Sequence, residues 1–317
     1  MKVLVTGAGG FVGRWLLPAL VADGHEVLGT RLPGEAPPTF LSETERRRVR
    51  WLPLDLQETD SVRAAIDEVP DAVIHLAAVA SGAEARRDPG LAWEVNAAGT
   101  ARLADALGVQ RMAGAGDPVV LLVSTAEVYG VVHPPRPRTE RDPPAPISPY
   151  AASKLGAEIA LLETARRTGL KVVVARAFPH TGPGQTDRYV VPAFARRLRA
   201  ARRLGASVVK TGNLDPVRDF LDVRDVVQAY LALLSRGESG EAYNVASGEG
   251  IALRDVFLRL AEMIGVAATP EVDRELTRTA DLPHLVGDAT RLRQRTGWAP
   301  RYTFDQTLQD LVNAQTD

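Results

Sequence analysis

The sequence predicts an α/β fold: a doubly wound parallel sheet with helices on both faces, and a smaller α/β domain toward the C-terminus. Short apolar or β-branched runs alternate with segments of helix length through the first half of the chain. Strands separated by helices are joined by crossover connections, which give parallel pairing. The runs VLVTG, AVIHLAA and VVLLVS are almost continuously apolar, which is typical of strands covered on both faces.

The first predicted helix, at residues 11–23, ends at Gly24, and Pro18 inside it should bend or interrupt it. A later helix at residues 223–235 has Asp222 as a candidate cap. The predicted strands of the sheet occupy residues 2–6, 25–30, 49–54, 72–78, 119–125, 171–177 and 241–245.

Two further segments have a distinctive composition. Residues 131–149 contain seven prolines, which exclude a helix or a central strand. The segment is either an interdomain linker or, as we prefer, an ordered surface loop, because a strand precedes it and a helix follows it directly. Residues 194–204 predict a helix with five arginines, which we interpret as a solvated face.

Composition excludes several classes of protein. The chain has 317 residues, enough for one large domain or two moderate ones, with 38 basic and 39 acidic side chains. This balance argues against nucleic-acid binding, and no apolar run reaches the length of about 18 residues that a membrane span needs. The absence of cysteine excludes a disulfide framework and favours a reducing compartment, the cytoplasm. The five histidines lack the spacing of metal ligands, so we expect no metal site.

Residues 6–13, TGAGGFVG, follow the first predicted strand and open the first predicted helix. Glycines at Gly7, Gly10 and Gly13 allow a tight turn, a close approach of a pyrophosphate to the backbone and packing of the helix on the strand. Phe11 and Val12 begin the helix whose N-terminus would face that anion. The motif predicts dinucleotide binding; the alternative is a glycine-rich turn without a ligand.

The ends of the next strands indicate which dinucleotide binds. After the second strand the chain has Arg31 in place of an acidic residue, and an arginine there can pair with the 2′-phosphate of NADP. We therefore expect a preference for NADP(H), with NAD(H) as the alternative if Arg31 is only a surface residue. Asp55 and Leu56 follow the third strand, where Asp55 can reach the adenine amino group. The residues expected to pass beneath the cofactor are Leu76, Ala77 and Ala78.

Tyr150 and Lys154 form a Tyr-x-x-x-Lys pair on a predicted helix. Residues four apart share one helical face, so the ammonium lies near the phenol and should lower the pKa of Tyr150. Tyr150 would then be an acid/base for a carbonyl or alcohol oxygen at neutral pH. Lysine occurs at only four positions, so a compact ammonium has few other candidates. Thr125, at a strand end in the crevice where open α/β sheets bind ligands, can position the same oxygen.

These residues resemble the extended short-chain dehydrogenase/reductase (NAD-dependent epimerase/dehydratase) family, and the similarity covers nearly the whole chain. The motifs that carry it are TGAGGFVG at 6–13, HLAA at 75–78, STAEVYG at 124–130, SPYAASK at 148–154, RDFLDV at 218–223, YNV at 243–245 and GWAP at 297–300. Within the family, HTGPGQ at 180–185 and VVPAFAR at 190–196 are most similar to GDP-4-dehydro-6-deoxy-D-mannose reductases, and next to GDP-mannose 4,6-dehydratases.

The resemblance implies roles for individual residues. Tyr150 would be the acid/base, Lys154 would lower its pKa and bind the cofactor ribose, and Thr125 would complete the triad. Hydride would pass from the nicotinamide to the C4 carbonyl carbon of a sugar while Tyr150 protonates the oxygen. The substrate-binding residues would be His180, Arg218 and Arg278, with the two arginines on the diphosphate.

The resemblance also implies how the chain is organised and what it binds. Residues 1–178 with 215–246 would form an NAD(P)-binding Rossmann domain, and residues 179–214 with 247–317 a nucleotide-sugar domain. The substrate would be a nucleotide sugar, GDP-linked by analogy with the subfamily. Helices around residues 91–112 and 150–166 resemble those through which the family dimerises, so we expect a homodimer.

Two departures from the family pattern bear on the reaction. Pro179 stands where relatives commonly have an Asn that helps bind the substrate phosphates, and proline has neither a side-chain donor nor a backbone N–H. Glu127 can serve as the base of a dehydratase, but the adjacent Ala126 has no proton to give. We therefore expect an NADP(H)-dependent reductase of a nucleotide-linked 4-keto-6-deoxyhexose. The alternatives are a nucleotide-sugar 4-epimerase and a GDP-mannose 4,6-dehydratase.

Overall fold

The computed structural model describes residues 1–276 and 281–314. Its strands are β1 Lys2–Thr6, β2 Glu26–Arg31, β3 Val49–Pro53, β4 Ala72–His75, β5 Val119–Thr125, β6 Lys171–Ala177, β7 His180–Thr181, β8 Val208–Thr211, β9 Val217–Asp219, β10 Leu221–Asp222, β11 Ala242–Val245, β12 Gly250–Ala252, β13 Thr269–Val272 and β14 His284–Leu285. Its helices are α1 Phe11–Ala22, α2 Glu43–Arg48, α3 Thr59–Ile66, α4 Gly82–Arg87, α5 Pro89–Trp93, α6 Gly99–Met112, α7 Pro149–Thr168, α8 Val190–Leu204, α9 Val223–Arg236, α10 Leu253–Ile264, α11 Thr290–Thr296 and α12 Phe304–Ala314. A π-helical turn, Glu94–Ala98, joins α5 to α6.

Seven strands form one parallel sheet in the order β3-β2-β1-β4-β5-β6-β11. β1 pairs with β2 on one side and with β4 on the other, so the strand order reverses there and a crevice opens at the carboxyl ends. The predicted α/β fold with a doubly wound parallel sheet is confirmed. The fourth strand ends at His75, earlier than predicted, because the amide of Ala77 bonds to the Thr6 hydroxyl instead of continuing the ladder.

Apolar side chains cover both faces of the sheet. On one face α1 and α9 pack through residues such as Leu17 and Val226, and on the other α6 and α7 pack through Leu103 and Leu161. Full burial of one such leucine contributes roughly 1.5–3 kcal/mol. α1 follows directly from β1, so its N-terminus lies at the carboxyl edge of the sheet, where the crevice opens.

The two proline-containing segments behave differently from each other. α1 runs unbroken from Phe11 to Ala22 with Pro18 inside it, because the buried Leu16, Leu17 and Leu20 hold both halves against the sheet. The expectation of an interruption at Pro18 is therefore wrong. The segment 131–149 is an ordered loop, as preferred from the sequence, and is fixed by backbone bonds such as Ala145 N–H to the carbonyl of Val128 at 2.8 Å.

A third apolar core lies among α8, α10 and α12, within the region predicted to bind the nucleotide sugar. The arginines of α8 do more than face solvent, contrary to the sequence interpretation. Arg202 donates to the carbonyl of Ile264 at the end of α10 at 2.8 Å, and Arg199 donates to the carbonyl of Val312 in α12. These contacts satisfy carbonyls that a helix C-terminus leaves without partners.

Within residues 1–276 and 281–314, no helix combines the length and the apolar character that crossing a membrane would require.

Candidate active site

A large cleft of about 1500 Å³ follows the carboxyl ends of the sheet strands. The predicted reaction residues Thr125, Glu127, Tyr150 and Lys154 line it, as do the predicted substrate residues His180 and Arg218. Arg278 lies outside the described residues. The predicted cofactor residues that line the same cleft are Gly7, Gly10, Phe11, Val12, Gly13, Arg31, Asp55, Leu56, Leu76, Ala77 and Ala78.

The glycine loop has no room for side chains at its two ends. Gly7 has a φ of 65°, and a Cβ there would lie 2.7 Å from the backbone of Ala77. A Cβ on Gly13 would strike the carbonyl of Ala8. The amide of Gly7 donates to the Thr30 hydroxyl at 3.2 Å, which ties the loop to β2. The N-terminus of α1, with its positive dipole end, therefore faces an open concave surface that fits a pyrophosphate.

Arg31, the last residue of β2, lies half-buried in the cleft wall. Within the part of the chain that the structure describes, its buried Nε has no hydrogen-bond partner. A buried N–H without an acceptor costs free energy, and a phosphate oxygen is a strong acceptor for a guanidinium. One carboxylate oxygen of Asp55 accepts a hydrogen bond from the amide of Gln57 at 2.9 Å. This end of the cleft therefore fits an adenosine with a 2′-phosphate.

Buried polar side chains support the segment 76–78, which forms the floor of the cleft. His75 is hydrogen-bonded to the hydroxyls of Thr6 at 2.7 Å and Thr100 at 2.9 Å. The Thr6 hydroxyl also accepts from the amide of Ala77 at 3.1 Å. Burial lowers the pKa of His75 to about 3, so its imidazole is neutral. These bonds fix the floor relative to β1.

Asn96, in the π-helical turn, links this floor to α7. Its side-chain oxygen accepts from the amide of Val79 at 2.7 Å, and its nitrogen donates to the Ser153 hydroxyl at 2.9 Å. The Ser153 hydroxyl in turn donates to the carbonyl of Tyr150 at 2.9 Å. Ser153 lies between Tyr150 and Lys154 in the chain, so these bonds hold the first turn of α7 against the floor.

Thr125, Tyr150 and Lys154 meet at the inner end of the cleft. Ser148 caps α7 by accepting the amide of Ala151 at 3.1 Å, so Tyr150 lies in the first turn of the helix, at the edge of the sheet. The Thr125 hydroxyl lies close enough to Tyr150 to act against the rise of its pKa. Lys154 follows one turn later on the same face and is only 2% exposed.

The pKa of Tyr150 is raised, not lowered as predicted from the sequence. Burial raises the pKa of Tyr150, and the carboxylate of Glu127 raises it further. Burial lowers the pKa of Lys154 to about 8, against the opposing effect of Glu158. Each charged form loses hydration in the cleft wall, and for both residues this loss is the largest effect on the pKa. At neutral pH Tyr150 is therefore a phenol, the form that can donate a proton.

Glu127 is the acidic side chain beside these residues. Its amide donates to the Thr125 hydroxyl at 3.2 Å, and its carboxylate lies 3.5 Å from the Ser148 hydroxyl. The intervening Ala126 is 1% exposed and belongs to the apolar core. Elimination of water requires an acid as well as a base, and position 126 contributes no proton donor to the cleft.

A buried ion pair lies directly behind Lys154. Glu158, one turn further along α7, pairs with Arg176 of β6 at 2.8 Å and accepts the Ser124 hydroxyl. Burial opposes the charge of Arg176, but its hydrogen bonds to Glu158 prevail and raise its pKa. Arg176 also donates to the hydroxyl of Tyr129 at 3.1 Å. Lys154 therefore faces a fixed negative charge inside the protein.

The opposite wall of the cleft holds the predicted substrate residues. The Nδ1 of His180 is hydrogen-bonded to the carbonyl of Phe178 at 3.0 Å. Arg218 pairs with Asp281 at 2.6 Å, so its charge is partly neutralised before any ligand binds. Pro179, the departure noted in the sequence, also lines the cleft and presents an apolar ring there.

The structure adds lining residues that no motif singled out. Tyr189, at the start of α8, raises the pKa of Tyr150 further, after burial and Glu127. Thr30 holds the glycine loop, and Tyr230 of α9 reaches the cleft from the core. These residues come from elements far apart in the chain, so no local spacing could have indicated them. Among the described residues, no three His, Asp or Glu side chains converge so that they could hold a metal ion.

A sequence profile of the NAD dependent epimerase/dehydratase family matches residues 3–246. The chain belongs to this family. It is 38% identical to GDP-6-deoxy-D-mannose reductase of Pseudomonas aeruginosa over 98% of this chain and 96% of that protein. The family predicted from the motifs is confirmed, and with it an NAD(P)-dependent oxidoreductase.

Solved structures of family members superpose over almost the whole chain. RMD from Pseudomonas aeruginosa complexed with NADPH has a TM-score of 0.82 and 35% identity, covering 99% of this chain and 98% of that one. UDP-glucose 4-epimerase of Thermus thermophilus in complex with NAD has a TM-score of 0.85 and 32% identity, with the same coverage of both chains.

Proposed function

We propose that this family member uses NADP(H) to reduce the C4 ketone of a nucleotide-linked 4-keto-6-deoxyhexose, and that the nucleotide is GDP. The similarity to the Pseudomonas reductase over nearly the full length of both chains supports the substrate class. The observation that carries the reaction type is the buried, protonated phenol of Tyr150, which lines the cleft beside Thr125. Reduction of a ketone needs a proton donor at the oxygen, and a buried phenol supplies one.

The proposed roles follow from the positions of the side chains in the cleft. When bound, the cofactor supplies a hydride to the carbonyl carbon. The Tyr150 hydroxyl donates its proton to the carbonyl oxygen, and the Thr125 hydroxyl holds the same oxygen in place. The ammonium of Lys154 favours the phenolate left after the transfer, and this attraction is stronger in the cleft wall than in water.

The proposed cofactor contacts lie along the sheet edge. The N-terminus of α1 would hold the pyrophosphate, Arg31 the 2′-phosphate, Asp55 the adenine and Lys154 the ribose next to the nicotinamide. The preference for NADP(H) rests on the buried Nε of Arg31, which has no hydrogen-bond partner among the described residues. The diphosphate of the substrate would lie against Arg218, whose share of the binding increases because Pro179 has no donor.

A nucleotide-sugar 4-epimerase is the second candidate, favoured by the similarity to the Thermus epimerase. Such an enzyme oxidises and re-reduces one carbon with a retained cofactor, whereas a reductase exchanges its cofactor at every turnover. A 4,6-dehydratase is disfavoured because Ala126 has no proton to give.

Two measurements test the proposal. The purified protein is denatured, and the nucleotides that it releases are identified by mass. Stoichiometric NAD would contradict the reductase and favour the epimerase, whereas NADP(H) or little bound cofactor is the expected result. NADPH oxidation is then followed with GDP-4-dehydro-6-deoxy-D-mannose, and with the corresponding dTDP-linked keto-sugar as the comparison. Turnover of the GDP sugar alone is expected, and no turnover of either would contradict the assignment.

We also propose that the enzyme acts as a homodimer. Ile159 of α7 is 61% exposed, and Val109 and Met112 of α6 and Trp93 of α5 are exposed as well. These helices pack side by side, so the apolar side chains occupy one face of the molecule. A second copy of the same face would cover them. Action in the cytoplasm stays a prediction from the absence of cysteine.

A further inference from the structure

One buried tyrosine differs from the others in its hydrogen bonding. The Tyr129 hydroxyl donates to Asn244 at 2.7 Å, and the Tyr243 hydroxyl accepts the amide of Glu238 at 3.0 Å. Tyr230, on α9, is 0% exposed, and within residues 1–276 and 281–314 no group donates to or accepts from its hydroxyl. Buried polar groups are almost always hydrogen-bonded in folded proteins, so this hydroxyl requires an explanation.

Tyr230 belongs to the lining of the cleft, with its side chain buried in the core behind the surface. It lines the cleft together with Val123 of β5 and with Ala177 and Phe178 at the end of β6. Its ring packs in the core between the sheet and α9. Ionisation of Tyr150 would raise the pKa of Tyr230, so the two phenols lie near each other, although their helices pack on opposite faces of the sheet.

Tyr230 and the predicted substrate residues reach the cleft from different sides. This difference indicates which ligand the Tyr230 hydroxyl would bind. The substrate residues His180 and Arg218 belong to the wall that follows β6. Tyr230 lies on the same face of the sheet as α1. In the proposed function the N-terminus of α1 would hold the pyrophosphate. A dinucleotide extending from α1 to Tyr150 would bring its nicotinamide end over the ends of β5 and β6.

The chemistry of the lining near Tyr230 indicates which group of the cofactor its hydroxyl would bind. The apolar residues Val123, Ala177 and Phe178 line the same cleft and pack in the same core cluster as Tyr230. Burial raises the pKa of Tyr230, so the phenol stays neutral and can both donate and accept. A carboxamide has one acceptor oxygen and two donor hydrogens, and it needs partners when it is buried.

We propose that the Tyr230 hydroxyl binds the carboxamide of the nicotinamide ring and thereby orients that ring toward Tyr150. The inference rests on the NADP(H) binding proposed above and adds a contact from the core side of the sheet. Among the residues that the structure describes, the hydroxyl has no partner because its partner arrives with the cofactor.

The variant Tyr230→Phe keeps the ring and removes only the orphaned oxygen. Since no hydrogen bond is lost in the free protein, we expect its Tm without ligand to equal or exceed that of the wild type. The Kd for NADPH should rise roughly three- to tenfold, the effect of one neutral hydrogen bond. The Kd for 2′-phospho-ADP-ribose, which lacks the nicotinamide, should not change.

Tyr243→Phe is the matched control, because it removes a hydroxyl that does have a partner. Its Tm should fall, while its Kd for both ligands should match the wild type. The comparison separates a structural hydroxyl from one that serves a ligand.

Three results would overturn the proposal. The first is an equal Kd for NADPH in wild type and Tyr230→Phe. The second is an equal rise for NADPH and 2′-phospho-ADP-ribose. The third is a loss of Tm as large as that of Tyr243→Phe, since a buried water would then already satisfy the hydroxyl.

If the proposed function is wrong, cofactor binding by the wild type shows a different pattern. A wild type that binds NADH in place of NADPH contradicts the cofactor preference only, and NADH with ADP-ribose then repeats the comparison. A wild type that binds neither dinucleotide overturns both proposals.

Discussion

The imidazole of His180 stacks on the ring of Phe11, with the centroids 6.3 Å apart and the planes inclined by 8°. Phe11 is the first residue of α1, at the glycine loop, whereas His180 follows the end of β6. The contact therefore joins the cofactor side of the cleft to the substrate side.

The same imidazole has a defined tautomer. The carbonyl of Phe178 can only accept, so the Nδ1 of His180 donates to it. Burial lowers the pKa of His180, which keeps the ring neutral near neutral pH. Its Nε2 is then an acceptor, suited to a hydroxyl of the sugar rather than to a phosphate.

Tyr150→Phe should abolish most of the reductase activity. The substitution removes the proton donor but keeps the ring, so we expect kcat to fall roughly 10²- to 10⁴-fold while the Kd for NADPH changes little. Steady-state rates and fluorescence titration measure the two quantities. Tyr302→Phe, on the surface, serves as the control and should keep full activity. A Tyr150→Phe variant with wild-type kcat would rule out the proposed proton donor.

The activity should fall above about pH 8. Burial lowers the pKa of Lys154 to about 8, so the ammonium is lost over that range, whereas the raised pKa of Tyr150 keeps the phenol protonated. The pH profile of kcat/KM measures this fall. Lys154→Arg, whose guanidinium does not titrate there, should be slower but flat between pH 7 and 9. A descending limb that persists in Lys154→Arg would assign it to another group.

The stability of the free enzyme should depend on pH in the opposite sense. The folded-state pKa of Lys154, about 8, lies below the ordinary value of 10.5. Between these values the unfolded chain binds the additional proton, so the contribution of this lysine to the free energy of unfolding rises with pH. Lys154→Met should therefore gain stability relative to wild type at pH 7 and lose that advantage by pH 10, as followed by urea denaturation.

Arg31→Ala should weaken NADPH binding selectively. Loss of a charge-assisted bond to the 2′-phosphate should raise KM for NADPH roughly 10- to 100-fold and leave KM for NADH within about twofold. The measurement is a set of Michaelis constants for both cofactors in both proteins. Arg50→Ala is the control, since Arg50 pairs with Glu68 and does not line the cleft. Equal effects on both cofactors would contradict the assignment.

Removing one partner of the buried pair of Glu158 and Arg176 should lower the free energy of unfolding strongly, whereas replacing both partners should lower it little. Glu158→Leu leaves an unpaired buried guanidinium and should lower the free energy of unfolding by about 3–5 kcal/mol. The double variant Glu158→Leu/Arg176→Leu should recover most of that loss. Urea denaturation gives both values. The exposed pair of Glu163 and Arg167 is the control, and Glu163→Ala should cost less than about 1 kcal/mol.

Ile159→Arg should convert the proposed dimer to a monomer. A charged side chain at the centre of an apolar interface is desolvated without a partner, so association is lost. Light scattering at micromolar concentration measures the mass. Leu204→Arg, at an exposed position of α8, should leave the mass unchanged. A monomer mass for the wild type would contradict the proposed homodimer.

The sheet and the centre of the site could be predicted because their signals are local. A buried parallel strand needs a continuous apolar run, a glycine loop needs its spacing, and Tyr150 and Lys154 share a face by helical geometry alone. The seven strands are all present, and the predicted reaction residues within the described chain line one cleft.

What could not be predicted depends on packing between distant segments. Burial is the largest effect on the pKa of Tyr150, and burial cannot be derived from a spacing of four residues. The pairing of Glu158 with Arg176 crosses from a helix to a strand, and the orphaned hydroxyl of Tyr230 becomes visible only once α9 lies on the sheet. The contacts of the α8 arginines could not be predicted either, because the helix ends that they cap come later in the chain.

The π-helical turn before α6 has a consequence for the spacing of the chain. Such a turn accommodates one residue more than an α-helical turn, and one residue corresponds to a rotation of about 100° around a helix axis. Asn96 lies inside it, and its amide spans the gap between Val79 and Ser153. The alignment of α7 with the floor of the cleft is therefore set by the count of residues between α5 and α6 as well as by the identity of one side chain.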